Sequence, residues 1–214
     1  MLANIYLHEV LDVWFDRDVK ARLKGKAFLV RYADDFVLGF EYEEDALRVM
    51  DVLPKRFEKY GLTIHPTKTR MVDFRRPRGG QKRTQRIDGG RSFSFLGFTH
   101  YWGKSRVGQP VVKRKTAKDR LTRALRALNQ WCRANRHWKV REQHKALCSK
   151  LKGHDQYYGI TGNWRALLLL RRALERIWRK WLGRRSQNGY VAWDRLKVIL
   201  ARYPLPRPKI KWSV

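Results

Sequence analysis

The stretch Lys26–Glu41, KAFLVRYADDFVLGFE, decides how this chain is read. Two short apolar runs rich in Val and Phe, at 26–32 and 36–41, flank Ala33-Asp34-Asp35. Such runs on either side of a turn predict a β-hairpin with carboxylates at its tip. Asp-Asp is an ordinary turn dipeptide, because Asp tolerates turn geometry. Two adjacent acids also repel, and strands this apolar would place the repulsion near a partly buried surface. A divalent cation relieves it: Mg²⁺ takes hard oxygen ligands, usually one or two carboxylates plus phosphates. Two-metal phosphoryl transfer needs such a clamp on attacking and leaving oxygens. On the residues alone, plain turn and metal site both stay open.

Outward from the hairpin, Leu2, Ile5, Tyr6, Glu9, Val13 and Phe15 lie near helical spacing, with no Pro or Gly before Gly25, and predict a helix over 2–18. Residues 43–60 open with acids suited to a helix N-terminus and stop at Gly61. Ala46, Val49, Met50, Leu53 and Phe57 form the apolar stripe there, with Pro54 as a possible kink. Strands are expected around Leu62–His65 and Thr69–Phe74. Residues 75–91, with four Gly and seven Arg/Lys, read as a basic loop. FSFLGFTHYW (93–102) reads as a hairpin in which Gly97 permits a bend or a close approach. Beyond Lys115 the period turns helical. Leu121, Leu125, Leu128 and Cys132 mark one helix, and Val140, His144, Leu147 and Leu151 a second. Leu167, Leu170, Leu174, Ile177, Trp178 and Trp181 mark a third; a fourth covers about 190–201, before an extended PLPRPKI tail. The fold class is therefore α+β, an antiparallel sheet with helices over 1–102 followed by a basic α-helical bundle over 103–214.

Charge divides the chain in a related way. The 214 residues hold 49 Lys+Arg and 19 Asp+Glu, for a net charge of +30. Residues 1–74 carry 12 basic and 13 acidic side chains, leaving 37 basic and 6 acidic for 75–214. Self-repulsion on that scale works against a compact monomer unless a polyanion neutralises it, which disfavours a freestanding enzyme for small neutral substrates. Six acids do not balance 37 bases, so solvation alone is an insufficient account of them and RNA binding is the expected one. The candidate RNA contacts are Lys113, Arg114, Lys115, Arg120, Arg123, Arg136, Lys139, Arg172, Arg176 and Arg179. Interleaved tryptophans offer stacking platforms for unpaired bases. At helical spacing, Trp164, Trp178 and Trp181 read instead as core.

Cys132 and Cys148 lie 16 apart with no CxxC and no His at ligand spacing, so neither a disulfide framework nor a zinc site is expected. The first residues are apolar but include Glu9, Asp12 and Asp16, and they lack a basic n-region. With no apolar run near ~18 residues, the chain reads as a soluble cytoplasmic protein.

The order of LANIYLH (2–8), YADD (32–35), GLTIHPTKT (61–69) and FLGF (95–98) resembles the palm of a reverse transcriptase, most closely those encoded by bacterial group II introns. LKGHDQYYGITGN (151–163), the W-x-x-W-L-x-R-R-S run at 178–186 and the closing PLPRPKI are similar to that family's thumb, or maturase, region. The resemblance implies an RNA-directed DNA polymerase working by two-metal chemistry with Mg²⁺. Asp34 would ligate the metals and Asp35 assist. Tyr32, Ala33, Leu96 and Gly97 would lie near the primer end or incoming nucleotide. Lys68 matches a basic residue near the triphosphate, where a cation stabilises departing pyrophosphate; as a residue it reads equally as a solvated lysine. The implied partners are structured intron RNA, a template–primer duplex and DNA.

The family pattern also includes fingers and a palm strand bearing another metal-binding Asp, and neither has a counterpart here. Asp12, Asp16, Asp18 and Asp73 are poorly placed to substitute. The expectation is a C-terminal portion, inactive as a polymerase in isolation: a truncated product, a fragment starting at an internal Met, or the second piece of a split protein whose N-terminal part is a further partner. The alternative is a non-catalytic maturase-like fragment that holds intron RNA during splicing.

Overall fold

The computed structural model describes residues 2–77, 91–186 and 189–213, so most of the basic loop expected at 75–91 lies outside the described residues. The chain divides into two compact units, Met1–Leu96 and Gly97–Val214, so the division falls six residues before the one expected after residue 102.

The first unit opens with α1 (Leu2–Leu7), which continues through wider i→i+5 turns at His8–Val13 and Phe15–Val19 into a 3₁₀ turn at Lys20–Arg22. The expected apolar stripe is not the buried one. Leu2, Ile5 and Tyr6 are exposed, while Val10, Leu11, Trp14, Phe15 and Val19 are buried. Those buried positions recur at steps of four and five, a repeat too long for a 3.6-residue helix and suited to the wider winding. Leu11, Trp14, Phe15 and Val19 pack against Val49, Leu53 and Phe57 of α2 (Glu43–Lys59). Phe15 meets Phe40 edge-on at 6.2 Å, and Phe36 lies 6.0 Å from Phe57.

The hairpin forms as expected. Strands β1 (Ala27–Tyr32) and β2 (Asp35–Phe40) pair antiparallel from Ala27↔Phe40 to Tyr32↔Asp35. Along β1, burial alternates with the two-residue period of a strand. Helix α2 runs through Pro54 without interruption. Asp45 in its first turn is buried and accepts the backbone N–H groups of Lys24 and Gly25, each at 3.0 Å, fixing the approach to β1. At the other end Gly61 takes φ 66°, the left-handed conformation of a helix stop.

The strands expected at 62–65 and 69–74 do not form. Leu62, Ile64, Val72 and Phe74 alternate with exposed neighbours, so the period-two signal is present. No strand pairs with either segment among the described residues, and Leu62 and Ile64 pack on the core without a ladder. Phe74 closes edge-on against Phe93 of β3 (Ser92–Phe95) at 5.0 Å.

In the second unit β4 (Phe98–Lys104) pairs with β5 (Pro110–Thr116), from Phe98↔Thr116 to Lys104↔Pro110. Strand β5 was not expected. It places Lys113, Arg114 and Lys115 on a sheet, correcting the purely helical reading of the basic half. The helices follow as α3 (Lys118–Ala134), α4 (Val140–Tyr158), α5 (Trp164–Gly183) and α6 (Trp193–Arg202). Leu128, Cys132, Leu147, Leu151, Leu170, Leu174, Trp178 and Leu196 share their core. Trp178 and Trp181 are buried as expected, whereas Trp164, at the first position of α5, is 44% exposed and is not core.

The tail is extended and docked. Lys211 and Trp212 donate backbone N–H bonds to the Gly159 carbonyl, Lys209 N–H reaches Asp155, and the Trp212 indole donates to the Gln156 carbonyl at 2.9 Å. A Cβ at Gly159 would collide with the carbonyl oxygens of Asp155 and Lys209, which explains the glycine at the end of α4.

Candidate functional site

The two-residue turn between β1 and β2 consists of Ala33 and Asp34. Ala33 adopts φ 55°, the positive value that a type II′ hairpin requires at its first central position and that glycine normally supplies. Asp34 and Asp35 are both exposed, which corrects the expectation of a partly buried acid pair. Neither carboxylate has a hydrogen-bond or ion-pair partner among the described residues, so both are available to an external cation. Asp35 is registered opposite Tyr32 and therefore shares the outer sheet face with it. That face is apolar: Phe28, Val30 and Tyr32 are 58%, 49% and 67% exposed.

A side-chain clamp holds this tip. Arg31 Nε and Nη2 donate to the two oxygens of Asp12 at 2.7 and 2.6 Å, a bidentate pair that ties the hairpin to the first helix. Arg31 Nη1 also donates to the Ala33 carbonyl at 2.9 Å, inside the turn itself. His8 Nδ1 lies 3.1 Å from the same carboxylate. Hydrogen bonds from Arg31 hold the Asp12 carboxyl below its ordinary pKa, and the same bonds raise that of Arg31. Asp12 is thus engaged and does not serve as a spare metal ligand. The sequence reading missed this pair; an arginine in the strand entering an acidic turn was its only local signal.

The remaining acids weighed as substitutes also lie elsewhere. Asp16 pairs with Lys20 at 2.5 Å. Asp73 takes both side-chain and backbone hydrogen bonds from Arg75, which pull its pKa down to about 2. Asp18 is exposed. Among the described residues no group of three or more His, Cys, Asp or Glu side chains converges on a possible metal site. The donor set at the tip fits one Mg²⁺ shared with substrate phosphates and falls a carboxylate short of a two-metal clamp.

Lys68 is exposed at the end of the turn at 66–68 and makes no contact with Asp34 or Asp35 among the described residues. Leu96 and Gly97 sit at φ 48° and 77°, both left-handed, as a type I′ turn demands. A Cβ at Gly97 would also stand 2.9 Å from the Tyr158 hydroxyl, so close approach and backbone conformation both call for glycine.

Of the basic candidates, Lys115, Arg120, Arg123, Lys139, Arg172 and Arg176 are exposed, and Lys113, Arg114 and Arg136 are half-buried. Lys115 lies over the Tyr101 ring at 5.0 Å. Arg179 is more engaged: its guanidinium stacks 4.1 Å over Trp193 and donates to the Val191 carbonyl at 3.4 Å, joining α5 to the start of α6. Near LKGHDQYYGITGN, the buried Asn163 links Thr116 to the Tyr158 carbonyl with bonds of 2.8 Å each. Phe98 stacks on Tyr157 at 5.7 Å, and His154 stacks on Tyr158 at 4.6 Å.

Comparison with known families matches residues 1–100 to the model for reverse transcriptase (RNA-dependent DNA polymerase). The matched segment is a little under half of the chain and contains the hairpin, the Arg31 clamp and Lys68. The match supports a polymerase of the reverse-transcriptase type and, with it, nucleic-acid substrates. Comparison with curated proteins returns no match. No helix among the described residues is long and apolar enough to cross a membrane.

Proposed function

We propose that this chain is part of a group II intron-type reverse transcriptase and maturase of bacterial kind, with Tyr32–Asp35 as its metal-binding hairpin and Gly97–Val214 as its RNA grip. The observation that carries the reading is an exposed pair of uncommitted carboxylates on a clamped hairpin, inside the segment matching reverse transcriptases. Mg²⁺ held by Asp34 and Asp35 would supply positive charge for the triphosphate and the attacking hydroxyl. The chain's own part is positional: Arg31 fixes the turn through Ala33, Tyr32 offers an exposed ring beside the tip, and Lys68 would supply an exposed cation for departing pyrophosphate. The exposed bases of α3 and α5, with those of β5, bind phosphates through counterion release.

A second reading, an RNA-binding maturase fragment that does not polymerise, is favoured by one observation: no third carboxylate joins the hairpin pair among the described residues. On the first reading the hairpin pair needs one further carboxylate, from outside the described residues, to complete a two-metal site. Primer extension by the purified chain with Mg²⁺, template–primer and deoxynucleotides is the test, run beside RNA-binding isotherms. The expected result is salt-sensitive RNA binding without extension. Robust extension would overturn the incomplete-site reading, and failure to bind RNA would overturn the grip.

A further inference from the structure

The loop between α3 and α4 is built differently from an ordinary helix connection. Its sequence, Asn135-Arg136-His137-Trp138-Lys139, contains no acid, and the flanking Arg133 and Arg141 add to its charge. Beneath it Gln143 is buried, and its Nε2 donates to three loop carbonyls, those of Asn135, Arg136 and Trp138, at 2.8, 3.0 and 3.2 Å. Gln143 Oε1 in turn accepts the indole N–H of the fully buried Trp178 at 2.7 Å. A buried amide anchored to the core thus fixes the backbone of a solvent-facing loop. Trp138 itself remains 48% exposed, held edge-on against Trp131 at 5.9 Å.

Arg185, arriving from the end of α5, donates through Nη2 to the Trp138 carbonyl at 2.9 Å. Its Nε is buried with no hydrogen-bond partner, and no carboxylate pairs with it among the described residues. Partial burial without an anion pushes its pKa down. A half-buried guanidinium lacking a counter-charge, beside an exposed indole on a rigid basic loop, is the complement of a base next to its phosphate.

We propose that this loop is a binding site for unpaired nucleotides, with Trp138 stacking on a base and Arg185, supported by Arg136 and Lys139, taking the adjacent phosphate. The site rests on the RNA-grip reading and specifies it: the ligand is single-stranded nucleic acid, whereas a duplex engages only the charges. An acidic protein surface satisfies the arginines but leaves the fixed, exposed indole without a role.

The test uses fluorescence polarisation on the full chain, with labelled oligo(U) and a blunt RNA duplex of equal length. Trp138→Ala should weaken oligo(U) binding about tenfold and leave duplex binding within about twofold. Trp138→Phe should restore most of the loss, and Arg185→Gln should reduce the salt slope for oligo(U) by about one. Unchanged far-UV circular dichroism and thermal midpoint in Trp138→Ala supports a local effect. Equal losses on both probes, or no loss on either, overturns the stacking site while leaving the RNA grip intact. Equal displacement of oligo(U) from wild type and Trp138→Ala by poly-glutamate at matched charge also overturns it. Binding of neither probe by the wild type overturns the RNA grip itself.

Discussion

Replacing Arg31 by Met should loosen the hairpin tip without unfolding the core. The side chain makes two charge-assisted bonds to Asp12 and one to the Ala33 carbonyl. Both partners are mostly shielded, with side chains 14% and 22% exposed, so solvent screening does not erase the pair as it does on an open surface. Hydrogen bonds to charged groups contribute about 1.5–3 kcal/mol, and full burial, where loss reaches about 3–5 kcal/mol, is not attained here. A net value of about 2 kcal/mol follows, or roughly a thirtyfold increase in the opening equilibrium of the hairpin. Native-state hydrogen exchange at the β1 and β2 amides reads that quantity directly. Asp12→Asn should reproduce most of the loss, and the double variant should cost little more than either single one. The pH dependence has a definite sign. The folded-state pKa of Asp12 is depressed, so the clamp's stabilisation is present above the unfolded-state pKa and fades as pH falls from about 4 through the lower folded value. In Asp12→Asn that acid-side decline should disappear. Additive losses in the double variant, or hairpin protection unchanged by either substitution, would refute the clamp.

Other outcomes follow from single features. Gly159→Ala should release the tail, seen as loss of protection at the Lys211 and Trp212 amides and a stability loss of about 1–3 kcal/mol from overpacking. Ala33→Gly relieves a positive φ and should stabilise the hairpin by about 1 kcal/mol, measured by the same exchange experiment. Gln143→Leu strands the Trp178 indole N–H and the Arg136 carbonyl, while the Asn135 and Trp138 carbonyls keep the Trp138 N–H and Arg185, and should cost about 1–3 kcal/mol in urea unfolding of the second unit. Burial pushes the Cys132 thiol up to about 12, so at pH 8 it should react with a disulfide reagent only on unfolding, with the half-buried Cys148 modified first.

The hairpin and the four long C-terminal helices were legible because each carries a strong local signal. Asp34 and Asp35 stand between two Val/Phe runs, and the leucines of α3, α4 and α5 recur at helical spacing. Strand β5 was hidden because Lys113, Arg114 and Lys115 mask its alternation, although its partner β4 lies just across the short turn at 105–109. At 62–65 and 69–74 the alternation was real but met no neighbouring strand among the described residues, and backbone pairing rather than side-chain pattern makes a sheet. The first helix misled for a different reason: its buried residues follow the wider winding, so a 3.6-residue template selected Leu2, Ile5 and Tyr6, which face solvent. Of the candidate site, the carboxylates could be read directly. The Asp12–Arg31 clamp could not, because its two halves lie 19 residues apart and meet only when helix and hairpin pack.

Paramagnetic relaxation by Mn²⁺, standing in for Mg²⁺, tests whether the Tyr32–Asp35 turn is a metal-binding element. Titrating Mn²⁺ into the chain in the presence of a deoxynucleoside triphosphate should broaden the backbone resonances of 32–36 first and saturably, and Asp34→Asn with Asp35→Asn should abolish this while RNA affinity stays within about twofold. Broadening centred on Asp16, Asp18 or Asp73, or hairpin resonances that stay sharp at saturating metal, would contradict metal binding at this turn.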